Sequence, residues 1–400
     1  MAKRFYAANL EIKSAIPLAK VEGTVDLYPA ELSAVFANGS VFANGLHWSG
    51  RPTLQSNMEY TPALNAANVA HLRSSRAPQT VFFTLATTDN RPPSFDDSGS
   101  LLALLSGYKM VGYRAPYVQM EKLTMSTMAG LVDAATRTVH ARFKQQIDVD
   151  SSDPVWVSLC IRPSRLGQFV VAAFKVPQLG ITLFLDDGRI INHRFIATIG
   201  QTGFILSPYL SSVEDVIFLA GGVHKVSRVK SFQITTNGAW GWLDGFDVHL
   251  TPIHVSPQPT ARGLLLSART SPPDVLAKPN DEAKIACYVD SVDGRPYDAG
   301  RPVFSRDGVL KLEGWTAPKE PARSIEAWVV LTSANGEKSF FKAPSRGRPD
   351  VAAAFKRSDL ETAGFSVMLD IGTLSGSQRL SLYSVSAGAA FACPIEMNVE

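Results

Sequence analysis

The sequence predicts an α/β layer domain followed by two β-sandwiches, the first jelly-roll-like and the second immunoglobulin-like. Three observations carry that prediction. Residues 20–123 alternate strand-like and helix-like stretches, the pattern of a small α/β layer domain. Residues 124–255 break into many short apolar or alternating runs with turn signals between them, as in a jelly-roll-like sandwich. Residues 281–400 repeat the β-rich pattern over a length that suits an immunoglobulin-like sandwich, after a proline-rich stretch, 256–280, that reads as a linker.

Taken in order, residues 21–28 read as extended, and Pro29 opens a helix through residue 38. VFANG then occurs twice, at 35–39 and 41–45. That period is too short for a solenoid, so the copy either lengthens a helix across a glycine or bulges into a loop. Residues 53–55 are short and extended. Thr61 and Pro62 start a helix to His71, with Thr61 as N-cap and Pro62 at the first helical position. TVFFTL at 80–85 has the form of a buried strand. A polar, proline-containing loop covers 89–98, a short helix 99–106, and 109–123 is extended again.

In the middle of the chain, strands are expected at 154–162, 168–174, 180–185, 193–199, 228–235 and 246–252, and only 212–220 looks helical. Asp186-Asp187-Gly188 and Asn237-Gly238 are hairpin-type turns. The last unit has strands at 284–289, 309–315, 324–331, 338–342, 365–369 and 378–385. A turn at Asn335-Gly336 and a small helix at 350–355 interrupt them.

Composition narrows the function. Hydrophobic residues make up 45% of the 400 and charged residues 19%, which excludes a wholly disordered chain. Mean hydropathy is +0.03, yet no run of about 18 apolar residues occurs, so no membrane span is expected. The 39 basic and 36 acidic residues are spread without blocks, so nucleic-acid binding has no electrostatic footprint. Lys3 and Arg4 are not followed by the apolar segment of a secretory signal, so no export signal is visible.

No P-loop, strand-following GxGxxG, GxSxG elbow, HxH or HExxH is present, so neither a cofactor nor a metal is expected. The three cysteines lack a zinc pattern. Cys287 opens the last domain and Cys393 nearly closes it. They are either a disulfide between the first and last strands of one sandwich, formed in an oxidising compartment, or two buried thiols.

Three stretches resemble a known family in order and spacing. The first is VDLYPAELSAVFANG with LHWSGRPTLQSNMEYTPALNAANVAHL, followed by APQTVFFTL and DNRPPSFDD. The second is AAFKVPQLGITLFLDDG with TGFILSPYLSSVEDVIFL, and the third is DGVLKLEGWTAPK with RPDVAAAF and AGFSVMLDI. Together they resemble the extracytoplasmic C-terminal region of large bacterial polytopic membrane proteins. Those proteins are glycosyltransferase-like and associated with surface-polysaccharide assembly. The resemblance implies a periplasmic or extracytoplasmic location and a multi-span membrane partner. In that family the membrane part precedes the position of Val21, and this chain lacks it, so the chain reads as a separate soluble partner or a fragment.

Three groups of side chains are candidates for chemistry. Arg51, Gln55, Ser56 and Tyr60 lie on a strand-to-helix connection, the edge of an α/β domain where ligands usually sit. They can hydrogen-bond sugar hydroxyls or pair with a phosphate or uronate, or simply satisfy the loop backbone. Asp89, Asp96 and Asp97 are the candidate carboxylates for glycoside hydrolysis. A calcium-like oxygen site is a second use for them, with weak spacing support, and the plainer role is a solvated loop with an aspartate capping the next helix. Trp240 and Trp242 follow the Asn237-Gly238 turn and by alternation share a face. They form either a glycan platform or part of the core. Three functions therefore stand open: a non-catalytic glycan-recognition accessory, a carbohydrate-active enzyme using the carboxylates of the 89–97 loop, and a purely structural interaction module.

Overall fold

The computed structural model describes residues 12–13, 18–28, 34–114, 116–124, 129–131, 135–171, 177–223, 226–267, 269–277, 279, 285–297, 308–372 and 376–399. The chain divides into two compact units, Met1–Leu264 and Leu265–Glu400. The architecture is α/β plus β-sandwich, and the first unit contains both the α/β part and the first sandwich.

The α/β part comprises β1 (Thr24–Tyr28), α1 (Ala34–Ala43), β2 (His47–Trp48), α2 (Pro62–Arg73), β3 (Thr80–Phe83), α3 (Ser98–Gly107), β4 (Tyr108–Arg114) and β5 (Tyr117–Lys122). Its sheet runs β2-β1-β3-β5-β4, with β1 parallel to β2 and β3, and β5 antiparallel to β3 and β4. Val25, Leu27, Val81 and Phe83 are buried, which is why these strands read as apolar runs rather than alternations. Both VFANG copies lie on α1 or its C-terminal end, where Gly45 takes φ +71° and lets the chain turn. Thr61 Oγ1 accepts a hydrogen bond from Leu64 N at 3.3 Å, with Pro62 at N1, so α2 starts where its sequence places it. Residues 53–55 form bends rather than a strand.

The sandwich of the first unit contains β6 (Ala129–Leu131), β7 (Arg137–Arg142), β8 (Ile147–Asp148), β9 (Val155–Cys160), α4 (Arg165–Val171), β10 (Leu179–Leu185), β11 (Ile190–Phe195), α5 (Ala197–Thr202), β12 (Phe204–Ser207), α6 (Val213–Ala220), β13 (Val229–Thr236) and β14 (Gly245–Val255). One sheet runs β11-β10-β13-β8 and the other β12-β9-β14-β6, with β7 also on β14. Val157, Leu159 and Val248 of one sheet share a core with Ile181, Leu183, Phe232 and Ile234 of the other.

Two strand expectations are corrected here. Residues 165–171 form helix α4, and 172–174 lie outside the described residues. The expected strand 193–199 ends at Phe195, and α5 begins at Ala197. A short apolar run has the same composition in a strand as in a helix, and packing decides between them. Gly167 decides for α4. A Cβ there would lie 2.0 Å from Gly241 O, so α4 sits directly on the backbone before β14.

The loop between β3 and α3 ties the two parts of the first unit together. Phe95 is fully buried in the sandwich core, 5.2 Å from Phe195 and 5.0 Å from Phe204 between ring centroids. Ser94 Oγ donates to Ile205 O at 2.6 Å, and Arg194 N to Asn90 O at 2.8 Å. The loop is therefore anchored at several points along its length, which fixes the acidic side chains it carries.

The expected linker is largely structured. Residues 259–265 form a helix, α7 (Pro259–Leu265). Beyond it, Ser267 N donates to Met368 O at 2.7 Å and Thr270 N to Phe340 O at 2.9 Å, and Leu276 packs on Trp328 and Ala390. Proline content marked an irregular path, but backbone donors and one buried leucine pin that path to the second unit.

The second unit is a sandwich of β15 (Ala286–Val292), β16 (Arg295–Pro296), β17 (Val309–Ala317), β18 (Ile325–Ser333), β19 (Lys338–Ala343), β20 (Ser345–Arg346), α8 (Pro349–Phe355), β21 (Gly364–Asp370), β22 (Gln378–Ser386) and β23 (Ala389–Val399). Its sheets run β16-β15-β17-β21-β20 and β19-β18-β22-β23. Val329, Leu331 and Leu382 face Leu310, Leu312 and Val367 in its core. Cys287 of β15 and Cys393 of β23 form a disulfide between the sheets, with Cα atoms 5.8 Å apart. No helix among the described residues is long and apolar enough to cross a membrane.

Candidate functional site

Two segments that are candidates separately in the sequence meet at one edge of the α/β sheet. Arg51 follows β2 and the 88–97 loop follows β3, so both lie beyond the carboxyl ends of parallel strands. Arg51 is buried, and each part of its guanidinium has a partner. Nε donates to Asp26 Oδ2 at 2.9 Å, Nη1 to Asp97 Oδ2 at 2.8 Å and Nη2 to Leu27 O at 3.2 Å. Its Cζ lies 4.2 Å from the centroid of the Tyr28 ring, and the Tyr28 hydroxyl donates to Asp97 O at 2.7 Å. Asn68 Nδ2 on α2 donates to Asp97 Oδ2 at 3.0 Å. Arg51 therefore locks the sheet to its loops and is not free to take a phosphate.

A second arginine makes the neighbouring node. Arg91 Nη1 donates to Asp96 Oδ1 at 2.8 Å and Asn57 O at 3.1 Å, and Nη2 to the Tyr60 hydroxyl at 2.9 Å. The structure thus brings Arg51, Tyr60, Asp96 and Asp97 into one network, while Ser56 opens the neighbouring 3-10 turn Ser56–Met58, which Gln55 leads, and its hydroxyl has no partner among the described residues. Asp89 stays half-exposed at its rim, 2.9 Å from Arg194 and 3.8 Å from Arg91.

Adjacent Asp96 and Asp97 face different arginines, and both are buried. Burial pushes the Asp96 carboxyl up and Arg91 opposes it. Asp97 sits at the N-cap of α3 with φ +48°, yet its side chain makes no cap. It turns to Arg51 and Asn68, and the strained backbone is held by those contacts. Each of the two carboxylates is thus paired with its own arginine.

Five side chains of the network, Asp26, Tyr28, Glu59, Asn68 and Arg91, are not among the sequence candidates. Asp26 lies within the apolar run VDLY, and a lone carboxylate inside a buried strand was the available signal. Glu59 carries no such signal, because it stands among polar and exposed neighbours. It is buried, and neither carboxyl oxygen has a hydrogen-bond partner of good geometry among the described residues. Burial and the Asp97 carboxylate beside it push Glu59 up to about 11, so it holds its proton at neutral pH.

The sign of the resulting pH dependence is fixed. A carboxyl raised from 4.5 to about 11 stabilises the fold fully only below 4.5, and loses that contribution as pH rises towards 11. Glu59→Gln keeps a neutral side chain at every pH. In buffer containing EDTA, it should raise stability by about 3 kcal/mol at pH 7 and by little near pH 4. Urea unfolding at the two pH values measures it, and a gain that is flat with pH removes the assignment.

The two tryptophans part company. Trp240 lies on a 3-10 turn, Ala239–Gly241, and is 53% exposed, while Trp242 is buried with Nε1 donating to Pro177 O at 3.1 Å. Sharing a face requires strand geometry, and here the backbone turns between the two residues. Around Trp240, Leu166 and Phe169 of α4 and Leu243 are exposed too, and α4 packs on the Trp240 turn. A cavity of about 300 Å³ elsewhere in this sandwich is lined by none of the candidate residues.

Among the described residues, no group of three or more His, Cys, Asp or Glu is arranged to hold a metal ion. No family model and no curated protein matches the sequence. Among solved structures, a bacterial orthologue of human α-L-iduronidase is similar at 10% identity with a TM-score of 0.15. The alignment covers 94% of this chain, which spans 63% of that one. A likeness of that size carries no argument about activity.

Proposed function

We propose that this chain is a non-catalytic, extracytoplasmic accessory module that recognises glycan beside a multi-span membrane protein of surface-polysaccharide assembly. The contrast between its two candidate sites carries the reading. The buried aspartates of the acidic loop are closed on arginines, whereas Trp240 stands half in solvent within an apolar patch. An exposed indole stacks on the C–H face of a sugar. Arg162 and Arg165 are exposed on the same segment and form no ion pair among the described residues, so they can pair with an acidic sugar. The Cys287–Cys393 disulfide supports an oxidising compartment.

Trp240→Ala should weaken glycan binding at least tenfold on an array while leaving far-UV circular dichroism unchanged, because the side chain is exposed. A wild-type chain that binds no glycan sinks the reading. Oligosaccharide turnover that disappears in Asp96→Asn would replace it with a carbohydrate-active enzyme. Co-purification with a multi-span protein tests the membrane placement separately.

A further inference from the structure

The arginine network holds more acid than base. Three carboxyls, Asp26, Asp97 and Glu59, gather around the single guanidinium of Arg51, and all four side chains are buried. Arg91 adds no charge to this set, because it pairs with Asp96. Asp26 has Arg51, Trp48 and Leu27 as donors, and Asp97 Oδ2 has Arg51 and Asn68. What remains is a group of oxygens. Both carboxyl oxygens of Glu59, Asp97 Oδ1, and the hydroxyls of Ser56 and Ser100 have no hydrogen-bond partner of good geometry among the described residues, with Glu59 lying beside Asp97 and Asn65. Each of these four residues is at least nine-tenths buried.

The leftover atoms come from two short segments that the network already joins. Ser56 opens the 3-10 turn that leads into Glu59, and Glu59 N donates to Ser56 O at 3.3 Å. Ser100 lies in the first turn of α3, and its N–H donates to Asp97 O at 3.1 Å. Buried oxygens are ordinarily satisfied, and buried carboxylates need a counter-charge.

We infer that Glu59 and Asp97 form a binding site for a hard divalent cation, Ca²⁺ or Mg²⁺, with the Ser56 and Ser100 hydroxyls available as further oxygen donors. Oxygen-only donors suit those ions, and two carboxylates with water completing the shell is a usual Mg²⁺ arrangement. One divalent ion also neutralises three carboxylates set against one guanidinium. Met58 and Tyr60, on either side of Glu59 in the chain, are exposed.

The test uses the full chain, stripped with EDTA and titrated with CaCl₂ or MgCl₂ by calorimetry and thermal unfolding at pH 7. One ion should bind per chain. The melting midpoint should rise by about 5 °C at a hundredfold excess over Kd. Glu59→Gln keeps a neutral group that can donate to Asp97, so it folds, and it should lose the ion. Failure of both ions to bind saturably overturns the proposal. So does binding retained in Glu59→Gln.

Discussion

Arg51→Met should lower the stability of the first unit by about 3–5 kcal/mol, a larger loss than any surface substitution would give. The reason is what the substitution leaves behind. Asp26 and Asp97 are each within 3 Å of the guanidinium and almost wholly buried, so removing it strands two carboxylates away from water. Arg51→Lys should recover little. The guanidinium serves Asp26, Asp97 and the Leu27 carbonyl through three nitrogens while lying over the Tyr28 ring, and one ammonium cannot reproduce that fork. The penalty should shrink as pH falls, because protonation removes the charge the stranded Asp26 carboxylate carries. Burial already holds the Asp26 carboxyl above its ordinary value, against the pull of Arg51. Urea unfolding at pH 7 and pH 4 measures both effects. A loss below 1 kcal/mol at pH 7 would show that these carboxylates are not buried as charges.

The same residue shows how far the sequence could be read. Its position on a strand-to-helix connection was visible, and so was the acidic loop, because polar residues between apolar runs announce a loop wherever they occur. That the two would meet was not visible. Contact across forty residues depends on sheet order, and the order β2-β1-β3 is set by parallel pairing that local patterns do not encode. The role of the loop was hidden for a related reason. Phe95 is one apolar residue in a polar stretch, and nothing local says that it fills the core of the neighbouring sandwich. Strands with both faces covered, such as TVFFTL, were legible. The run at 165–171 was not, because Gly167 against Gly241 decides it. Trp240 and Trp242 make the same point. Alternation predicted a shared face, and a 3-10 turn that composition does not announce separated a buried indole from an exposed one.

The second unit should owe about 2–5 kcal/mol to Cys287–Cys393. The two cysteines are 106 residues apart, so the bond closes a loop that includes most of the sandwich and restricts its unfolded chain strongly. It joins β15 in one sheet to β23 in the other, across a core containing Val329, Phe341 and Leu380. Cys393→Ser, Cys287→Ser and the double variant should therefore lose the same amount, because each removes the same bond and the effects do not add. Dithiothreitol should bring the wild-type chain to that level as well. Thiol titration of the denatured, unreduced chain gives an independent count. Cys160 alone should react, with three thiols appearing after reduction. Three reactive thiols before reduction, or a wild-type midpoint indifferent to dithiothreitol, would mean that the sandwich stands on its apolar core alone. The oxidising compartment proposed for the chain would then lose its physical support.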